Sequence, residues 1–234
     1  MSTQPPKGVG QGKITAGIKP GTLVSRTIEF VYAQLPCWRD DPDRQPENGE
    51  ERLNAQLCKF LDVAAREAFP MVYFHHEERQ TGRRRVDLSA LPTETIWVGH
   101  RPYTIYDPIL VIEGKRLPAP SADRQKEYVT GLDNRSGGIQ RFKLGLHGAQ
   151  LDRGVIVAYI QKDGPASWHA TINEWILALA SGGFRDVCSW TAEETLRRLT
   201  DDVRSKAARC LSSHQRTSFA HRCAIILEHL WVVM

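Results

Sequence analysis

Hydrophobic positions along the chain change their spacing several times, and each change predicts an element. Leu23, Ile28, Val31 and Leu35 recur at helical intervals, so Thr22–Leu35 is expected to be an amphipathic helix. Leu53, Leu57, Phe60, Leu61 and Ala64 line one face of a second helix, from Glu50 to about Phe69, closed by Pro70. The polar, proline-containing stretch 36–49 is the loop between them. Val72-Tyr73-Phe74 opens a strand, Thr81-Gly82 marks a turn, and Arg83 to Leu88 is the returning strand. Thr95 to Tyr106 reads as a small hairpin. Ile109–Gly114 and Val155–Ile160 are nearly unbroken apolar runs, the pattern of strands buried on both faces.

Further helices are expected at Arg124–Val129, Ile139–Leu146 and Thr171–Ala180, with 133–138 as a flexible link. Thr191-Ala192-Glu193-Glu194 has the form of a capping box and predicts a helix to about Leu211. In that segment acids lead and Arg197, Arg198, Arg204, Lys206 and Arg209 trail, as the helix dipole favours. Contact of those bases with DNA is the alternative to this structural reading. Ala224–Val233 is a closing strand. The order of elements gives an α/β fold, with a mixed sheet between helical layers. Residues 1–21 hold Gly, Pro, Ser, Thr and Lys but no acid, and read as a disordered arm. Residues 22–234 read as one domain, with its core at about 50–160 and a helical and strand extension over 165–234.

Composition narrows the function classes. Thirty-one Lys and Arg against 27 Asp and Glu leave a formal charge of +4, which permits a polyanionic partner without demanding one. Five cysteines without a CxxC pair point to free thiols in a reducing, cytoplasmic setting. No apolar run has membrane-spanning length, so no membrane partner is expected. His75-His76-Glu77-Glu78 does not make a zinc site, because adjacent histidines on a strand point to opposite faces.

The candidate chemistry lies at Glu113-Gly114-Lys115, where an apolar strand ends in a carboxylate followed by a lysine on the same face. A second acid, Asp87, sits in the preceding strand. Burying such acids without a partner is costly, so a partner is expected. Two carboxylates suit Mg²⁺, which takes hard oxygen ligands and leaves room for water and phosphate. Asp87, Glu113 and the backbone carbonyl of Gly114 would hold the ion, and Lys115 would steady the attacking water or the transition state. Arg83, Arg84 and Arg85 follow a turn beside this site; they suit either phosphate contact or a solvated hairpin rim.

With Val86-Asp87-Leu88 on one strand and Val111-Ile112-Glu113-Gly114-Lys115 on the next, the chain resembles the PD-(D/E)xK nuclease superfamily over roughly residues 50–160. The resemblance implies the restriction-endonuclease-like fold, a mixed sheet flanked by helices. It also implies an extra acid on the first core helix, for which Glu50, or else Glu51, would serve, either supporting the groups that bind the metal or binding a second metal. After the ExK strand it implies a helix with a polar or basic residue near the metal, either Gln140 or Lys143. Arg141 and Lys143 would touch nucleic acid. Arg85-Val86-Asp87-Leu88, Ile112 to Leu117 and Gly137 to Phe142 look like bacterial restriction or anti-phage defence nucleases. The implied activity is Mg²⁺-dependent endonucleolytic cleavage of DNA, with Mn²⁺ able to substitute. A homo-oligomer or a defence-system partner protein would accompany it. The alternatives are a non-catalytic nucleic-acid-binding or scaffold subunit of a defence complex, or an RNase of the same fold. Two features depart from the common pattern: Val86 replaces proline, and 26 positions separate Asp87 from Glu113. The 95–106 hairpin must fold aside for the two carboxylates to come within reach of one metal ion.

Overall fold

The computed structural model describes residues 22–80, 85–98, 101–216 and 223–234. The proposed arm (1–21), the Thr81-Gly82 turn, Arg83 and Arg84 lie outside the described residues. Helices α1 (Thr22–Arg39) and α2 (Glu50–Ala68) come first, then strands β1 (Val72–Arg79) and β2 (Arg85–Pro92). A small pair, β3 (Ile96–Val98) and β4 (Arg101–Tyr103), stands apart as its own two-stranded sheet. Strand β5 (Leu110–Leu117), the short helix α3 (Gly138–Lys143), β6 (Arg153–Ile160) and α4 (Pro165–Ala180) follow. Strands β7 (Thr200–Asp202), β8 (Ala207–Gln215) and β9 (Ala224–Val233) end the chain.

Seven strands form one mixed sheet in the order β1-β2-β5-β6-β9-β8-β7. The central strands β5, β6 and β9 run parallel, and the outer pairings are antiparallel. Their apolar runs are explained by cover on both faces. On one face, Trp38 of α1 packs on Tyr159 of β6, and Asn54 of α2 accepts a hydrogen bond from the same tyrosine at 2.7 Å. On the other, α3 lays Phe142 against Gly154, and α4 sets His169 on the edge of Trp231. The fold is thus mixed α/β with helices on both faces. No helix among the described residues is long and apolar enough to cross a membrane.

The predicted helix over 191–211 is not formed. One 3-10 turn at Ala192–Glu194 is all that the Thr191 capping signal starts, and β7 and β8 occupy the rest. Glu194 is buried and paired with Lys143 and does not cap a helix. In β8 the inward positions are Ala208, Cys210, Ser212 and His214. Two of these four are polar, which disguises the period of two. They are tolerated because each hydroxyl and ring finds a partner. Trp231 Nε1 donates to Tyr128 Oη at 2.9 Å, Tyr128 Oη meets His229 Nδ1 at 2.7 Å, and Ser212 Oγ bridges His229 Nε2 and His214 Nε2. Burial holds both histidines below their ordinary pKa, so they are neutral. One set of neutral tautomers satisfies the whole network, with Tyr128 donating to His229, His229 to Ser212, and Ser212 to His214. It pins Tyr128, and with it the segment 122–138, onto β9. Helix α4 begins earlier than its apolar spacing suggests, at Pro165, where a first-turn proline costs no hydrogen bond.

Candidate active site at the parting of two strands

Antiparallel pairing of β2 with β5 stops at Leu88 and Ile112, one step short of Asp87 and Glu113. Beyond that point β5 keeps only β6 as a neighbour, paired through to Leu117. The intervening hairpin folds away at the far end of the two strands, so the 26-position link does not obstruct the site. Two backbone N–H groups of β5 face the gap left by β2. Gly114 N donates to Asp87 Oδ2 at 2.8 Å, and Arg116 N donates to Glu50 Oε2 at 3.0 Å. Carboxylates therefore stand where a strand's carbonyls would otherwise be. A strand residue turns its N–H and C=O to the same edge, so the Gly114 carbonyl also faces this gap.

Glu113 and Lys115 share the α3 face of β5, as their spacing requires. Lys115 Nζ lies 2.9 Å from Glu113 Oε1 and 3.0 Å from Glu50 Oε1. Glu50 arrives from the first turn of α2, on the stripe continued by Leu53 and Leu57; Glu51 is exposed. Glu113 is fully buried and has two further partners. Arg141 Nη1 donates to Oε1 at 2.5 Å, and His147 Nδ1 stands 3.1 Å from Oε2 without hydrogen-bonding geometry. Burial by itself would raise the Glu113 pKa; Lys115, His147 and Arg141 outweigh it and hold the carboxyl below its usual range. Burial likewise opposes the charge on Lys115, and Glu113, Glu50 and Asp87 overcome it, so the ammonium is held charged. At Asp87 the charge on Lys115 and the Gly114 N–H also favour the ionised form, but they are outweighed. Burial first, then the charge on Glu113, push the Asp87 carboxyl up to about 7.

Gly114 is dictated by packing. A Cβ there would lie 1.8 Å from Asn54 Oδ1, the oxygen bonded by Tyr159. The glycine lets α2 close over the strand and bring Glu50 to Lys115.

The other expected site residues lie elsewhere. Gln140 is buried and spends all its hydrogen-bonding capacity on the 131–137 loop and Asp186. Its Oε1 accepts from Gly131 N and Gly137 N, and its Nε2 donates to Leu132 O and Asp186 Oδ1. It has no donor left for water or phosphate. Lys143 is buried against Glu194 and the ring of Trp190, which removes it both from the acids and from any nucleic acid. Arg85 is exposed and paired with Glu77. Arg141, expected to touch nucleic acid, instead reaches Glu113. Sequence reasoning missed His147, which carries no motif, and Asn54. The latter had a signal, as a lone amide in the buried stripe of α2.

The donor chemistry of the site fits a hard cation. Among the described residues no three His, Cys, Asp or Glu side chains form a metal cage. Two carboxylates are enough for Mg²⁺ when water and phosphate complete the sphere. Glu113 Oε2 makes no hydrogen bond, and neither does Asp87 Oδ1 among the described residues. No family model matches the chain, and no curated protein or solved structure matches it.

Proposed function

We propose that this protein is a Mg²⁺-dependent nuclease that hydrolyses phosphodiester bonds of DNA. One observation carries the proposal: Glu50, Asp87, Glu113 and Lys115, from three separate elements, converge where β2 leaves β5. The resemblance of the strand motifs to the PD-(D/E)xK superfamily supports it. Asp87 and Glu113 would hold the ion, with the Gly114 carbonyl facing the same gap. Bound there, Mg²⁺ would supply charge neutralisation of the phosphate and a more acidic water. Lys115, fixed between Glu50 and Glu113, would donate a hydrogen bond to the attacking water or to a phosphoryl oxygen as negative charge develops. Glu50 would set the direction of that ammonium.

Purified protein incubated with supercoiled plasmid and Mg²⁺ or Mn²⁺ is expected to cleave it, and EDTA to stop the reaction. Lys115→Met should slow cleavage about a hundredfold while leaving the circular dichroism spectrum unchanged. Equal cleavage by wild type and Lys115→Met would remove the lysine from the reaction. RNA offered in parallel decides the sugar. The second reading is a non-catalytic nucleic-acid-binding or scaffold subunit, and the two cations already paired with Glu113, Lys115 and Arg141, favour it. It predicts DNA binding with no metal-dependent cleavage under any of these conditions.

A further inference from the structure

Glu113 stands out for the number of its partners. Its Oε1 is shared by Lys115 and Arg141, and His147 faces its Oε2. Three carboxyl groups (Glu50, Asp87, Glu113) meet two permanent cations (Lys115, Arg141) here. A divalent cation added to this cluster would compete with the cations already on Glu113. The three partners differ in freedom to leave. Lys115 has 7% of its side chain exposed and is held by a second carboxylate, Glu50. His147 has 1% exposed and is packed edge-on against Phe142. Arg141 has 26% exposed and hydrogen-bonds no other carboxylate among the described residues. It projects from the six-residue α3, at the rim of the site.

We propose that Arg141 is a displaceable counter-ion, which neutralises Glu113 until a divalent cation takes its place and frees the guanidinium for a substrate phosphate. This rests on the metal-dependent reading above. A guanidinium suits both positions, because its planar fork matches carboxylate and phosphate equally well. The exchange would join two events that must coincide. Metal arrival would release the arginine, and the released arginine would add a positive contact for the anionic substrate.

The test is Mn²⁺ binding to the full chain without nucleic acid, followed by the electron paramagnetic resonance of free Mn²⁺. Arg141→Met is expected to bind Mn²⁺ about three- to tenfold more tightly than wild type, the worth of losing one partly exposed competing ion pair. Glu113→Gln should weaken Mn²⁺ binding, and Arg141→Met added to Glu113→Gln should bring no gain. With Ca²⁺ in place of Mg²⁺, Arg141→Met should bind a short DNA duplex more weakly than wild type. Unchanged or weaker Mn²⁺ binding by Arg141→Met, with wild-type binding that depends on Glu113, overturns the counter-ion role alone. Wild-type binding indifferent to Glu113→Gln, or no Mn²⁺ binding by either protein, overturns the metal-dependent reading as well.

Discussion

Asp87→Asn is expected to make the protein more stable and inactive at once. Burial and the neighbouring Glu113 push the Asp87 carboxyl up to about 7 in the folded chain, against an ordinary aspartate value of 3.8. A carboxyl with a raised folded pKa is an ionisation that folding opposes. Below about pH 4 the group is protonated in both states and costs nothing. As pH rises to 7 the unfolded chain ionises first, so folding loses stability, and above pH 7 the full penalty is present. Asparagine keeps the acceptor for Gly114 N and removes the charge. The variant should gain about 2 kcal/mol over wild type at pH 8, a figure that allows for the side chain's partial exposure. The two proteins should converge near pH 4. Urea denaturation at both pH values measures this. Cleavage should meanwhile fall to background, because a neutral amide is a poor ligand for a hard cation. An Asp87→Asn protein less stable than wild type at pH 8 would show that the carboxylate is there for the fold. A gain in stability at pH 8 would mark the carboxylate as one retained at a cost to the fold.

Gly114→Ala is expected to destabilise the protein by about 3 kcal/mol. The new methyl would sit 1.8 Å from Asn54 Oδ1, and that amide is fixed by Tyr159 at 2.7 Å inside the core. Relief requires α2 to lift, which carries Glu50 away from Lys115. The double variant Asn54→Ala/Gly114→Ala should therefore be more stable than Gly114→Ala alone, although Asn54→Ala by itself costs about 1 kcal/mol for the lost hydrogen bond. Thermal melts of the four proteins give the coupling. Simple additivity of the two substitutions would contradict a steric clash between them.

The central strands were legible because β5, β6 and β9 are buried on both faces and spell that out in apolar residues. Helix α2 was legible down to the acid on its inner stripe. The pairing of Asp87 with the Glu113 strand could also be inferred, since adjacent antiparallel strands bring their ends together. What the sequence hid has one physical cause. Buried polar groups satisfied by distant partners look like surface residues until the partners are known. Ser212 and His214 made β8 resemble the exposed side of a helix, and Glu194 imitated a cap while serving as counter-ion to Lys143. Gln140 looked available to a ligand because its four loop and Asp186 partners are not written next to it. Arg141 and His147 meet Glu113 across 28 and 34 positions, with no spacing rule to announce them.

The gap between β2 and β5 has a consequence for solubility. A strand left without a neighbour offers its N–H groups to any extended chain, the usual route to edge-to-edge aggregation. Here the two N–H groups that face the gap are taken by Asp87 and Glu50, and a third acid and a lysine stand beside them. An incoming strand would have to displace two carboxylates to pair. The charges proposed to act on phosphates thus also act as gatekeepers. Glu50→Ala combined with Asp87→Ala would remove both, and the first loss to look for is then the monodisperse protein itself.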